Sequence, residues 1–284
     1  MTNYRHNYGA SQRRAAPVHS KARWSVVIPA YNEEDFLPAT LASITAQTVA
    51  DAVIILVDNR SSDATRAVME TFAEENPDRD VVLLSDPRPG KVNALETGIA
   101  AVKTDFVALC DADTIYPPDY LERAEAMMGH DESGVVAAFA FGVFSDASAF
   151  DAWLARTKGA VVAALMPGQG HTGGFGHAFR TRALKKAGGY SSKIWPFMVA
   201  DHEIVNRVAK HGTIAYHRDH WCQTSSRRAR RSHVDWKLHE RIMYNFTPAH
   251  KRDWLFYEYL RPRFEKRKLF NANLRKRDWD QSGS

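Results

Sequence analysis

Cysteine is nearly absent: Cys110 and Cys222 are the only two, so neither a disulfide framework nor a zinc site is indicated. No run approaches the roughly 18 apolar residues of a membrane span, and the basic, tyrosine-containing start has no apolar signal region. The expectation is a soluble, cytosolic chain. No Gly-x-Gly-x-x-Gly follows the first apolar run, and no Gly-x-x-x-x-Gly-Lys-Ser/Thr occurs anywhere. The ordinary dinucleotide and P-loop readings therefore lack their phosphate cradle.

What is present suits one large α/β domain with an appendage. The 284 residues are 44% hydrophobic and 25% charged, enough for a sizeable core. The net charge of +5 is unevenly spread: residues 1–23 carry about +5, residues 24–222 about −9 and residues 223–284 about +9. A basic tail on an acidic body suits an anionic surface or ligand better than a coat for nucleic acid.

Short apolar runs alternate with helical patterns. Trp24-Ser25-Val26-Val27-Ile28-Pro29-Ala30, Val53-Ile54-Ile55-Leu56-Val57-Asp58, Val81-Val82-Leu83-Leu84 and Phe106-Val107-Ala108-Leu109-Cys110 read as strands buried on both faces. Between them, Phe36, Leu37, Leu41 and Ile44, then Ala67, Val68 and Phe72, then Ala94, Leu95, Gly98 and Ile99 recur at helical spacing. This alternation demands a parallel sheet with right-handed crossovers. Residues 135–144 read as a further strand, 150–165 as a helix, and 212–216 as the last strand. Residues 1–23 lack apolar periodicity and read as a flexible basic arm.

The fourth run ends in Asp111-Ala112-Asp113. Ligands of open α/β sheets bind outside the carboxyl ends of the strands, so both acids lie at the lip of the crevice. Two carboxylates there make a hard oxygen site suited to Mg²⁺ or Mn²⁺ that also touches phosphate. Lys91 is a candidate second cation near a nucleotide.

Pro29-Ala30-Tyr31-Asn32-Glu33, Val57-Asp58-Asn59-Arg60-Ser61-Ser62-Asp63 and Asp111-Ala112-Asp113, in this order, together resemble the family 2 glycosyltransferases over roughly residues 24–216. The resemblance implies the GT-A fold, a Rossmann-like, mixed but mainly parallel sheet flanked by helices. It divides the chain into a nucleotide half at about 24–116, an acceptor half at about 117–222 and a helical basic extension at 223–284. By the same resemblance Pro29, Ala30, Tyr31 and Glu33 line the nucleotide pocket, Asp58 reads the base edge, Asp111 and Ala112 reach the ribose side, and Asp113 binds the metal. Gly173 and Gly174, within the Gly-rich stretch before Phe175, line the donor-sugar and acceptor pocket. Asp201 matches the general base of Glu-Asp-x-x-Leu-x-x-Arg, although the preceding Glu is Ala200 here; Glu203 is the fallback base.

Plainer roles stay open for the same residues: packing for Tyr31, a turn or cap for Asp58, a helix-start charge for Lys91 and a helix cap for Asp201. Relatives of this fold often supply a further metal ligand after the last strand, for which His217 and His220 are candidates. Arg227 and Arg228 are candidates for neutralising the diphosphate. The implied activity is inverting, single-addition transfer of a sugar from a nucleoside-diphosphate sugar, UDP favoured, to the hydroxyl of a lipid-linked, glycan or small acceptor. The aromatic residues from Trp236 to Leu260 either pack back on the domain or lie on an anionic membrane. A nucleotidyltransferase and a non-catalytic nucleic-acid-binding protein are the rival readings. The first lacks a Gly-rich basic loop after strand one; the second leaves Asp58, Asp111, Asp113 and Asp201 unexplained.

Overall fold

A computed structural model describes residues 22–166, 169–226 and 237–275. One eight-stranded sheet forms in the order β3-β2-β1-β4-β7-β6-β8-β5. Its strands are β1 Trp24–Ala30, β2 Val53–Asp58, β3 Val81–Ser85, β4 Phe106–Cys110, β5 Thr114–Ile115, β6 Val135–Phe144, β7 Gly176–Arg180 and β8 Thr213–Thr224. The half from β3 to β4 is parallel, β7 runs antiparallel to β4 and β6, and β8 lies parallel to β6. The arrangement is the expected mixed, mainly parallel sheet.

The apolar runs became strands because both of their faces are covered. Along β1, Val27 enters the core on one side of the sheet, while Trp24, Val26 and Ile28 enter the core on the other, as the two-residue period of a strand requires. Helices α1 Leu37–Thr45, α2 Thr65–Glu75 and α3 Lys91–Ala101 connect the parallel strands. Helix α3 sits very close to the sheet at Gly98, where a Cβ would lie 2.4 Å from Val27 Cγ1. A side chain there would force helix and strand apart.

Helices α4 Tyr120–Met128, α5 Ala149–Leu165, α6 Thr181–Lys186 and α7 Ala200–Val208 belong to the second half. Strand β8 is longer than the expected 212–216, running through His217, His220 and Cys222 to Thr224. Its interrupted burial pattern hides it from a search for apolar runs, so the boundary expected at 222 falls inside a strand. Beyond it, helix α8 Leu238–Phe246, a π-helical stretch Trp254–Leu260 and helix α9 Arg261–Lys266 follow. Leu255, Phe256, Leu260 and Phe264 are buried in the same core cluster as α3 and α7. This part of the extension packs on the domain, one of the two outcomes left open above. Residues 1–21 of the arm expected at 1–23, and Arg227 and Arg228, lie outside the described residues.

Candidate active site

The carboxyl ends of the parallel strands meet at one edge. Ala30 is in register with Asp58, and Val27 with Leu109, so the ends of β1, β2 and β4 stand side by side. The loops after β1 and β2 are stitched together: Asn32 Oδ1 accepts from the Ser62 amide at 2.8 Å, and Thr65 Oγ1 accepts from the Glu33 amide at 2.7 Å. Asn32 and Arg60 both adopt positive φ, a strained state for residues other than glycine that structures retain mainly at functional sites. Pro29, Ala30, Tyr31, Glu33 and Asp58 thus share one rim. The Asp58 carboxylate also accepts from the Ser61 amide at 3.0 Å, which is the turn role left open for it.

Asn59, which sequence reasoning passed over, is buried. Its side-chain amide donates to Asp86 O at 3.0 Å and Arg88 O at 2.8 Å and accepts from the Gly90 amide at 3.0 Å. It anchors the segment that presents Lys91 at the start of α3. Lys91 Nζ donates to Asp111 Oδ1. Asp111 is held from below as well: its amide donates to Tyr116 Oη at 2.8 Å, and that hydroxyl donates to Phe175 O at 2.7 Å. Ala112 O accepts from Thr40 Oγ1 at 2.9 Å, which fixes the turn carrying Asp113, itself only 7% exposed.

The Gly-rich stretch enters the same edge, since Gly176 is paired with Cys110. A Cβ placed on Gly174 would lie 3.2 Å from Asp201 Cβ, 3.5 Å from Tyr190 Oη and 3.7 Å from Lys91 Nζ. One backbone position therefore touches the donor-side cation, the candidate base and a buried phenol. At Gly173 a Cβ would meet the Phe175 ring at 2.7 Å, so neither glycine tolerates a side chain without movement.

Asp201 lies in the first turn of α7, which follows Val199, whose φ of 56° is costly for a β-branched residue. Its Oδ2 accepts from the Gly174 amide at 3.1 Å, and its Oδ1 accepts from the His202 amide at 3.0 Å. Burial pushes its pKa up, but His202, His177, Lys91 and the His202 amide outweigh burial and hold it below the ordinary carboxylate value. It is a carboxylate at neutral pH. Glu203, the fallback base, is committed elsewhere: Arg207 grips both its oxygens, at 2.7 and 2.9 Å, and Tyr257 Oη donates to Oε1. This buried grip withdraws Glu203 from proton transfer.

His202 Nδ1 lies 2.8 Å from Tyr244 Oη, and that hydroxyl accepts from the Gly170 amide at 3.2 Å. Tyr244 is on α8, so the extension reaches into the site and ties the Gly-rich loop to the helix of Asp201. No local pattern marks Tyr244 for this role. His220, a candidate metal ligand, is 1% exposed and stacks on Tyr120 with ring centroids 4.8 Å apart. Among the described residues no three His, Cys, Asp or Glu side chains gather as a metal cluster. His177 likewise lies in the sheet, stacked on Phe139, with its pKa pushed down to about 4 by burial.

A mixed sheet with a nucleotide-type edge, Asp111 and Asp113 at the end of β4 and a carboxylate at the head of α7 together define a GT-A type protein. The description Glycosyl transferase family 2 matches residues 25–188, more than half of the chain, which belongs to that family. Among curated proteins it is 37% identical over 117 residues to the undecaprenyl-phosphate 4-deoxy-4-formamido-L-arabinose transferase of Enterobacter sp. (strain 638), covering 39% of this chain and 36% of that protein. The uncharacterized glycosyltransferase alr2836 of Nostoc sp. is 34% identical over 113 residues, covering 39% of this chain and 35% of that protein. The chain thus spans little more than a third of these relatives. In fold it resembles the mannosyltransferase PcManGT from Pyrobaculum calidifontis, solved with GDP-Man and Mn²⁺, at a TM-score of 0.62 and 20% identity over 89% of this chain and 74% of that one. It also resembles S. aureus TarS 1-349 in complex with UDP-GlcNAc, at a TM-score of 0.57 and 17% identity over 91% of this chain and 77% of that one.

Proposed function

We propose that the chain moves a sugar from a nucleoside-diphosphate sugar, UDP favoured, to a hydroxyl of a lipid-linked acceptor in cell-envelope glycan synthesis, one sugar per encounter and with inversion. The observation that carries this is the meeting of Lys91, bound to Asp111, with Asp201 around Gly174. It sets a cationic donor end and a basic acceptor end within one sugar's reach. The acceptor oxygen bonds to the anomeric carbon from the face opposite the diphosphate, Asp201 takes its proton, and the bond to the diphosphate breaks with its electron pair leaving on the phosphate oxygen. Lys91 supplies positive charge beside the departing diphosphate. The curated relatives named for undecaprenyl-phosphate transfer support a lipid-linked acceptor.

Asp113 fits a divalent metal: a nearly buried carboxylate beside a second one at the mouth of a sheet is hard-oxygen chemistry. With no third acidic or imidazole side chain grouped there among the described residues, the set suits Mg²⁺ or Mn²⁺ that takes its other ligands from phosphate and water. When bound, such an ion would offset charge growing on the leaving diphosphate.

The lipid acceptor is matched by an apolar rim that supports peripheral contact with an anionic membrane, on its cytoplasmic face. On α8, Leu238, Ile242 and Phe246 recur every fourth residue and are 75%, 48% and 80% exposed, with Lys237 and Arg241 exposed beside them. Helix α5 also presents Phe150, Trp153, Val161 and Leu165 to solvent. Gln169 Nε2 donates to Asn245 O at 3.0 Å, so the carboxyl ends of both helices converge at the mouth of the Gly-rich loop. Among the described residues no helix is long and apolar enough to cross a membrane.

The test is calorimetric titration with UDP, GDP and dTDP, with and without Mn²⁺, on the wild-type chain and on Asp113→Ala. Metal-dependent binding of one diphosphate that the variant loses is the expected result. Binding of none, in either condition, would remove the glycosyltransferase reading.

A further inference from the structure

Tyr190 follows the paired glycines Gly188 and Gly189 between α6 and α7. Its ring is part of the core beneath α3 and α7 and the residue is only 4% exposed, yet its hydroxyl has no hydrogen-bond partner among the described residues. Buried hydroxyls are ordinarily satisfied, and one left without a partner destabilises the fold. A phenylalanine would fill the same space at no such cost. The hydroxyl also points somewhere specific: to the Gly174 position, where Lys91 Nζ and Asp201 Cβ converge. Burial raises the phenol's pKa well above its usual value, so it stands there as a neutral donor.

Lys91 lies on the diphosphate side of this point and Asp201 on the acceptor side. The group between them is the sugar in transit. We propose that Tyr190 Oη donates a hydrogen bond to a ring hydroxyl of the transferred sugar and so helps decide which sugar is accepted. This rests on the glycosyltransferase reading above. A site built to hydrogen-bond a substrate hydroxyl discriminates strongly against analogues that lack it, because its own buried group is then left unpaired.

The experiment compares the full chain with Tyr190→Phe in Mn²⁺, by calorimetry with two matched pairs, UDP with UDP-GlcNAc and GDP with GDP-mannose. For the pair the wild type binds, the variant is expected to hold the free diphosphate unchanged and to lose about fivefold to thirtyfold in affinity for the sugar nucleotide, the effect of one buried hydrogen bond. Its melting temperature is expected to stay level or rise, since an unpaired hydroxyl is removed, which also confirms a folded variant. Equal affinity of wild type and variant for the sugar nucleotide would overturn the inference and leave the glycosyltransferase reading standing; so would an equal loss for the free diphosphate. Wild-type chain that binds neither pair would overturn both.

Discussion

At the scale of single residues two nearby acids have different surroundings. Asp201 is ionised and faces the Gly174 backbone, whereas Glu203, two residues on, is locked by Arg207 and Tyr257. Asp201→Asn is therefore expected to lower the transfer rate by about 10²- to 10⁴-fold, the range for losing a general base, while nucleoside-diphosphate affinity stays unchanged. A variant that keeps its rate would remove Asp201 from the chemistry. Glu203→Gln behaves differently. It leaves the buried guanidinium of Arg207 without its counter-charge, so it is expected to destabilise the fold by about 3 kcal/mol, read as a lower urea midpoint before any effect on rate is considered.

At the scale of elements the two halves of the site depend on helix ends and loops rather than on the sheet alone. Helix α3 starts with Lys91, helix α7 carries Asp201 in its first turn, and α8 reaches over to hold the Gly-rich loop through Tyr244. The outer face of α8 carries the rim. Replacing Leu238 and Phe246 together by Glu alters only side chains that are already exposed, so the fold should be unaffected. Its expected consequence is loss of flotation with phosphatidylglycerol vesicles, with diphosphate binding intact, because apolar insertion and cationic attraction are both removed. Undiminished flotation would place any membrane contact elsewhere.

For the whole molecule, pH acts on stability through buried histidine. His177 has its pKa depressed from 6.5 to about 4 by burial, so below pH 6.5 the unfolded chain takes up a proton that the folded chain refuses. This contribution is complete above pH 6.5 and is lost as pH falls from 6.5 toward about 4, at about 1 kcal/mol per pH unit. His220, its pKa pushed down to about 3 by burial, adds a similar loss; urea midpoints at pH 7.5 and 5 should show it, and His177→Phe should reduce it but not abolish it. Asp86 adds to it only at lower pH. Burial would raise its pKa, but bonds from Arg88 and Thr97 hold it below the ordinary carboxylate value, so its stabilisation fades only as pH drops through the carboxylate range.

The same scale shows what could be read in advance. Strands β1, β2, β4 and β6 were legible because burial on both faces makes them continuous apolar runs, and the position of Asp111 and Asp113 just past β4 follows from the same run. The far part of β8 was not legible: exposed His217 and Arg218 interrupt it, and pairing with β6, not hydrophobic pattern, makes it a strand. Asn59, Tyr190 and Tyr244 escaped for another reason. Each acquires its role from a partner far away in sequence, and nothing in the local pattern of the chain records such a meeting.

The loop before Asp201 is fastened by a segment distant in sequence: the Met198 amide donates to Leu269 O at 2.9 Å, and the Asn271 amide donates to Pro196 O at 2.8 Å. Asn271 Oδ1 also accepts from the Val92 amide at 3.2 Å, at the head of the Lys91 helix. Both ends of the site therefore meet residues some seventy positions after Asp201. The segment carrying Asp201 and the head of the Lys91 helix are thus tied to one short stretch, so a change at residues 269–271 is expected to be felt at both.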